Sequence, residues 1–442
     1  MRAGALSRKI LNRAVLTLLI CVSAFSLVSA QGLDGVSRSR AKDMLGNVKK
    51  SIKNDYFDPT YGGKDLDAHF KKAEEKIDKA TSMSQAIGAI AQAVIDFNDS
   101  HLLFYPPALT VNSEYGWRMQ AVGEKIYVVA VKPGSDADKK GLKAGDQIIA
   151  VEGFRPSRKE LWKIQYYYNL VSPRNGLNLQ VLSPGSTEVK ELNIAAKLTK
   201  APIVQDLDYL INEARKRDGS GGYTHRFGRV GNISIWKMPN FPLDPSTVDE
   251  WMKKYMGTSG NMILDLRGNG GGYIVSLERL AGYFVEKDTK IADLKGRKDM
   301  KPQMAKAVGS KGFSGKLVVL VDSGSGSSAE IFARFIQLQN RGIVIGDQTA
   351  GAVMQALTVD MKMGTDSLIF YGMEVPNADV ILSDGASLEH KGVTPQMLIA
   401  PSPEDMAAGR DPVLAAAFKV LGVEVSPEDA GKMFPFDWKI DA

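Results

Sequence analysis

Five apolar residues in a row, Leu317 to Val321, run into Asp322-Ser323-Gly324-Ser325-Gly326-Ser327-Ser328, after which Ala329, Ile331, Phe332, Phe335, Ile336 and Leu338 follow at helical spacing. A short valine-rich run without polar interruption suits a strand buried on both faces. The glycines and serines are therefore a strand-to-helix turn and not an interdomain linker. Such a junction belongs in a sheet layered with helices, and its surroundings repeat the alternation. "VGNISIWKM", "NMILDLRGNGGG" and "GIVIGD" read as strands, with helices expected around Val248–Tyr255, around Ser276–Val285 and from about Ser328. The fold class expected is α/β for this core, 229–405, within a multidomain α+β chain.

Three other regions flank the core. From 31 to 110 the pattern is helical, with Met44, Leu45, Val48 and Ile52 on one stripe and Met83, Ile87, Ile90, Val94 and Phe97 on another, ending at Pro106-Pro107. Residues 111–198 are β-rich, with strands expected in "KIYVVAV" and "DQIIAVEG". A polar, glycine-rich connector, 199–228, leads into the core. After it, 406–442 holds a helix with Asp411 as its cap and Pro412 in its first turn.

The first thirty residues stand apart. Arg2, Arg8, Lys9 and Arg13 precede the uncharged run Ala14–Ala30, which closes on Val28-Ser29-Ala30, as a secretory signal cleaved after Ala30 would. A retained anchor is the weaker reading, because a seventeen-residue run with four Ser/Thr is a marginal span. Ile20 stands before Cys21, where a lipoprotein signal needs a small residue. Cleavage removes the single cysteine and four of the six net positive charges, leaving about +2. A nucleic-acid partner thereby loses its support, and a cysteine-free chain fits a periplasmic or secreted location without requiring disulfides.

A side chain in the turn at 322–328 sits at a helix N-terminus, where unpaired N–H groups stabilise developing negative charge. That environment suits a nucleophilic serine beside an oxyanion site, and it equally suits a serine that only caps the helix. No Lys-Ser/Thr pair follows the glycines, so a phosphate-binding loop is excluded, and the spacing G-x-S-x-G is absent here too. Four scattered histidines offer no zinc-ligand spacing.

"KPGSDADKKGLKAGDQIIAVEGF" resembles a PDZ domain, with the turn Gly141–Asp146 entering the strand Ile148–Val151. The resemblance implies that Tyr115-Gly116-Trp117 lie at a carboxylate-binding loop and that an extended peptide tail adds as a strand. "ILDLRGNGGG", "GSSAEI" and "GIVIGDQTAGAV" together resemble the C-terminal-processing serine peptidases, which include the tail-specific proteases and the tricorn core, over about Lys42–Leu421. The resemblance implies a core of the ClpP/crotonase-like type, Ser327 as nucleophile, and the backbone N–H groups of Ser328 and Gly271 as oxyanion donors. The tail-specific branch places its lysine base where this chain has Ala352, so a Ser/Lys dyad is contradicted. The tricorn-like branch implies His101 as base, with Ser100 and Glu389 orienting it. His390, directly after Glu389, is the competing base; His69 reads as a surface residue, and Glu330 as structural. Gln396 stands where the family has Asp, which puts a local loop contact in question.

The resulting expectation is a secreted or periplasmic serine endopeptidase acting on polypeptides, with the PDZ-like region taking substrate tails. Its carbonyl chemistry needs no cofactor or metal. A binding protein on the same fold, a tail adaptor or hydrophobic-ligand carrier, is the alternative; the joint presence of Ser327, His101, Ser100, Glu389 and the glycine cluster favours the enzyme.

Overall fold

The structure is a computed structural model and describes residues 33–109, 111–201, 224–242, 244–257, 260–364, 368–436 and 438. The expected signal segment with Cys21, and most of the connector, lie outside these residues. Helices α1 (Gly35–Asp55), α2 (Leu66–Lys79) and α3 (Met83–Ile95) begin at Asp34, Asp65 and Ser82, each accepting a backbone N–H of the first turn as an N-cap does. Their apolar stripes bury Val48, Ile52, Ile77 and Ile90 completely. A short strand, β1 (Leu103–Tyr105), follows.

Strands β2 (Val111–Glu114) and β8 (Lys197–Lys200) pair at the base of a second module. Between them β3 (Trp117–Val122), β4 (Lys125–Val131), β5 (Gln147–Val151), β6 (Gly176–Leu182) and β7 (Val189–Ala195) form a five-stranded antiparallel sheet in sequence order. Helix α4 (Asp136–Lys139) lies between β4 and β5, and α5 (Leu161–Tyr166) lies between β5 and β6. Strand β3 is an edge.

The core carries β9 (Arg226–Val230), β10 (Ile233–Lys237), α6 (Pro245–Trp251), β11 (Asn261–Asp265), α7 (Ile274–Gly282), β12 (Thr289–Gly296), β13 (Gln303–Ala305), β14 (Leu317–Val321), α8 (Ser328–Leu338), β15 (Ile343–Gly346), β16 (Met354–Met363), β17 (Ile369–Leu382) and β18 (Met397–Leu398). One sheet has the order β18-β15-β14-β11-β10-β9, parallel except for β9. As the valine-rich run requires, β14 is buried throughout: Leu317, Val319 and Val321 enter one apolar cluster, Val318 and Leu320 another. The second cluster is closed by α10 (Pro412–Val420) and α11 (Pro427–Met433), after a short α9 (Pro403–Ala408). Asp411 caps α10 through Leu414 N–H at 2.9 Å and also takes both Arg267 guanidinium nitrogens, joining that helix to the end of β11.

The second core sheet did not announce itself in the sequence. It is antiparallel, β1-β17-β12-β13 with β16 on β17. Tyr371, Met373 and Val375 of β17 are buried among the N-terminal helices, and β1 pairs Phe104 with Met373. The N-terminal module is thus stitched to the core by a shared sheet and a shared apolar cluster, and the loop just before β1 is held against the core. Phe104 is fully buried there. Phe104→Ala is expected to cost about 3–5 kcal/mol, the usual range for deleting a buried ring, read as a lowered midpoint in denaturant unfolding; a shift below about 1 kcal/mol contradicts this account of the seam.

Candidate active site

Ser327 stands at the junction of β14 and α8 with φ +53° and ψ −121°, a left-handed conformation that a side chain adopts only under constraint. Two acceptors hold its N–H: the Ala352 carbonyl at 2.8 Å and Glu330 Oε2 at 3.1 Å. Its hydroxyl lies 3.2 Å from His101 Nε2. On the far side of the ring, His101 Nδ1 is 2.8 Å from Ser100 Oγ, and Ser100 Oγ donates to Glu389 Oε2 at 2.8 Å. A carboxylate accepts only, so the one Ser100 proton points to Glu389 and the Ser100 oxygen is left to accept Nδ1–H. Nε2 then carries the lone pair that faces Ser327.

Glu389 is also fixed by the N–H groups of Ser100 at 3.0 Å and Val353 at 2.7 Å. His101 N–H donates to Asp99 Oδ1 at 3.0 Å, while Tyr56 Oη donates to Asp99 Oδ2 at 3.0 Å. Burial, and then the nearby Glu389 charge, push the Asp99 carboxyl up to about 7. Neither Asp99 nor Tyr56 was singled out from the sequence. Asp99 had a signal, an acid directly before Ser100-His101; Tyr56, at the end of α1, had none.

The glycine cluster lies against the nucleophile. A Cβ on Gly271, whose φ is +105°, would come within 2.6 Å of Ser327 Cβ and 3.1 Å of Ser328 N, so no other residue fits. The expected oxyanion pair needs adjustment at this glycine. Gly271 N–H donates to Asn269 Oδ1 at 2.8 Å and is not a ready donor while that bond stands. Buried Asn269 also donates from Nδ2 to the Met238 carbonyl at 2.9 Å, and its own carbonyl accepts Gly326 N–H. Ser328 Oγ donates to the Gly272 carbonyl at 3.0 Å.

The remaining candidates sort by contact. His390 reaches Glu389 Oε1 only at 3.6 Å, and its side chain is 56% exposed. His69 is half-buried rather than on the surface, with Nε2 2.8 Å from the Ala93 carbonyl. His225 accepts Trp236 Nε1–H at 3.1 Å among aromatic rings, and burial lowers its pKa to about 4. Gln396 Oε1 accepts Val344 N–H at 2.9 Å and a Gln337 amide hydrogen at 3.0 Å, so the loop contact in question is made by the amide. Among the described residues, no three His, Cys, Asp or Glu side chains gather as a metal site needs.

In the second module, Tyr115 and Trp117 line a shallow groove between edge strand β3 and α5. The Tyr115 hydroxyl donates to the Tyr168 carbonyl at 3.2 Å and accepts Arg174 N–H at 2.9 Å. Gly116 turns the chain with φ +73° and its carbonyl accepts Lys132 N–H. The opposite end of β3 touches the nucleophile turn, where Ser323 Oγ donates to the Ala121 carbonyl at 2.5 Å. Gly123 N–H and Arg158 both reach Asp347 nearby.

A serine and an imidazole within hydrogen-bond reach at a strand-to-helix turn, backed by a carboxylate, are the arrangement that serine-type hydrolysis uses. Residues 229–399 match the family model "Peptidase family S41". It is 25% identical over 314 residues to a chloroplastic C-terminal processing peptidase of Tetradesmus obliquus, covering 69% of this chain and 62% of that protein, so it spans less than two thirds of that relative. It is 24% identical over 387 residues to the carboxy-terminal processing protease CtpB of Bacillus subtilis (strain 168), covering 84% and 70%. Among solved structures, mature CPAF has a similar fold with a TM-score of 0.63 at 14% identity, covering 84% of this chain and 95% of that one. The photosystem II D1 C-terminal processing protease has a TM-score of 0.52 at 18% identity, covering 89% and 99%.

Glu330, fully buried, accepts from Thr349 Oγ1 and from the N–H groups of Gly351, Ala352 and Ser327. Burial outweighs these four donors and pushes its carboxyl up from 4.5 to about 7. A carboxyl raised on folding contributes stability that is full below about pH 4.5 and is lost as pH rises through about 7. The stability gap between the native chain and Glu330→Gln should therefore narrow by roughly 3 kcal/mol between those limits. Denaturant titrations of both proteins across that range measure it, and a gap independent of pH contradicts the burial argument.

Proposed function

We propose that the protein is an endopeptidase that cleaves polypeptides through Ser327, with His101 as general base and general acid, and Ser100 and Glu389 as the relay that orients the imidazole. The observation that carries this reading is the unbroken run of hydrogen bonds from Ser327 Oγ through His101 and Ser100 to Glu389. Ser327 Oγ attacks the carbonyl carbon while its proton passes to Nε2. The imidazolium keeps Nδ1–H on Ser100, and the Glu389 charge stabilises it through that hydroxyl. The carbonyl oxygen becomes an oxyanion at the start of α8, where Ser328 N–H is placed to donate and the helix dipole helps. A second donor, Gly271 N–H, joins when its bond to Asn269 opens. Collapse returns the proton from Nε2 to the leaving amine, and a water activated by the same nitrogen hydrolyses the acyl-enzyme.

The groove beside β3 takes an extended peptide as an added strand in this reading, since β3 is an edge with an apolar wall opposite. Its sheet reaches the nucleophile turn through Ser323 and Ala121, so tail binding and cleavage are physically connected. The basic and uncharged N-terminal run supports action outside the cytoplasm. Among the described residues, no helix is long and apolar enough to cross a membrane.

A fluorophosphonate probe tests the chemistry directly. Labelling should vanish in Ser327→Ala and fall at least about 100-fold in His101→Ala, in keeping with loss of a general base. Labelling that persists in Ser327→Ala sinks the assignment. In the native protein the rate should fall on the acid side within the ordinary histidine range, about pH 6 to 7, and a rate that stays flat well below it rules out His101 as base.

A further inference from the structure

The loop that carries the base is tied down from two directions, and only one of them belongs to the relay. Ser100 N–H donates to Glu389 Oε1 at 3.0 Å, which anchors the loop to the core. The next N–H along the chain, that of His101, donates to Asp99 Oδ1 at 3.0 Å, and the other oxygen of that carboxylate accepts Tyr56 Oη–H at 3.0 Å. Tyr56 directly follows α1, so this second tie runs back to the N-terminal helices. An aspartate that accepts the N–H two residues on is, by itself, an ordinary Asx turn. Asp99 departs from that pattern: it is 6% exposed, and its second oxygen is claimed by an equally buried phenol from a distant stretch of chain. A carboxyl kept out of water is costly, and one this close to a general base is a candidate for work on that base.

The pair can hold in either charge state. Ionised, Asp99 accepts from both His101 N–H and Tyr56. Protonated on Oδ2, it donates to Tyr56 Oη, since a phenol accepts as well as donates, while Oδ1 still accepts His101 N–H. Burial, with the Asp99 charge beside it, pushes the Tyr56 pKa up, so the phenol stays neutral and available for both roles. The titratable groups facing Asp99 are His101 on its own loop, Tyr56 at the end of α1 with Asp58 near it, and Glu389 from the core with His390 Nε2 3.6 Å from it. Burial and the Glu389 charge place the Asp99 carboxyl at about 7, so it loses charge over the range in which an imidazole gains one.

We propose that Asp99, clamped by Tyr56, is the positioning residue of the general base: through His101 N–H it sets where the imidazole stands, so that Nε2 meets Ser327 Oγ while Nδ1 meets Ser100. The proposal rests on the reading of His101 as base. Asparagine reproduces the neutral form, with Oδ1 accepting His101 N–H and Nδ2–H donating to Tyr56 Oη. Alanine removes the acceptor altogether. The negative charge of Asp99 favours the imidazolium, so replacing it by a neutral amide lowers the His101 pKa.

Nitrogen NMR of isotope-labelled histidine in the full-length protein reports the tautomer and titration of each ring, with His101 assigned by its loss in His101→Ala. The native ring should hold one neutral tautomer, with its proton on Nδ1. Asp99→Asn should keep that tautomer and lower the His101 pKa by at least about half a unit, whereas Asp99→Ala should mix the two tautomers. Fluorophosphonate labelling of Ser327 runs alongside: its rate should fall at least about tenfold in Asp99→Ala, recover to within about threefold of native in Asp99→Asn above the acid limb, and lie between them in Tyr56→Phe. A His101 tautomer and titration that ignore both Asp99 variants overturn the proposal. Should the alanine variant fail to unfold cooperatively, an unchanged His101 titration in Asp99→Asn together with an unchanged labelling rate in Tyr56→Phe overturns it equally. If the ring responds as expected and no form of the protein labels, the positioning role stands and the peptidase reading falls; if the native protein labels and the ring ignores Asp99, the reverse holds.

Discussion

Glu389 is the point on which the site depends. Its two oxygens accept three hydrogen bonds, two from Ser100 and one from Val353, and these donors come from different modules. Ser100 belongs to the loop before β1 and Val353 to the strand entry of the core, so one carboxylate fixes a seam between distant stretches of chain. Charge-assisted bonds of this kind are about twice as strong as neutral ones and set geometry as well as energy. Without the carboxylate, Ser100 Oγ has no acceptor for its proton, the direction of the relay is undetermined, and Nε2 is no longer held as the unprotonated nitrogen. The neighbouring Asp99 adds a second acid. Burial and the Glu389 charge raise its pKa, while it holds His101 N–H and Tyr56.

The nucleophile is held by the opposite strategy. Ser327 sits in a backbone conformation costing on the order of 1–3 kcal/mol, and a ring of bonds around Glu330 overdetermines it. Glu330 collects Ser327, Gly351 and Ala352 N–H, and the Ala352 carbonyl returns a bond to Ser327. Glu330, read from the sequence as structural, is the brace of the turn. Gly271 completes the cage by pressing its bare Cα to Ser327, where even a methyl group would collide. The Asn269 bond leaves Gly271 N–H engaged, so in the proposed mechanism that bond opens before this N–H can face an oxyanion.

Much of this was legible because local chemistry and global position agreed. The unbroken apolar run of β14 gave its burial on both faces, the cap Asp411 gave a helix start, and the turn at 322–328 gave the place of Ser327. Ser327, His101, Ser100 and Glu389 were chosen by resemblance, and the structure brings all four into one chain of contacts. What stayed hidden was non-local. The antiparallel sheet of β12, β13, β16 and β17 mixes half-buried alternation with long polar stretches, and its pairing with β1 spans some of the longest sequence separations in the fold. Tyr56 acts only through Asp99, a contact that no local pattern encodes. The engagement of Gly271 depended on an Asn side chain two residues away folding back, which residue type alone does not specify.

In the proposed mechanism Ala352 leaves the base to another module. Its backbone is fully used: the carbonyl accepts Ser327 N–H and the N–H donates to Glu330. With a methyl group at that position, the lone pair facing Ser327 is supplied by His101, whose placement requires β1 on β17, the helices packed on Tyr371, Met373 and Val375, and Glu389 across the seam. The His101–Ser327 contact is therefore conditional on the docking of the N-terminal module. The same logic extends to the β3 sheet, which touches the nucleophile turn at Ser323. A site assembled from three parts of the chain is loosened by disturbing any one of the contacts that join them.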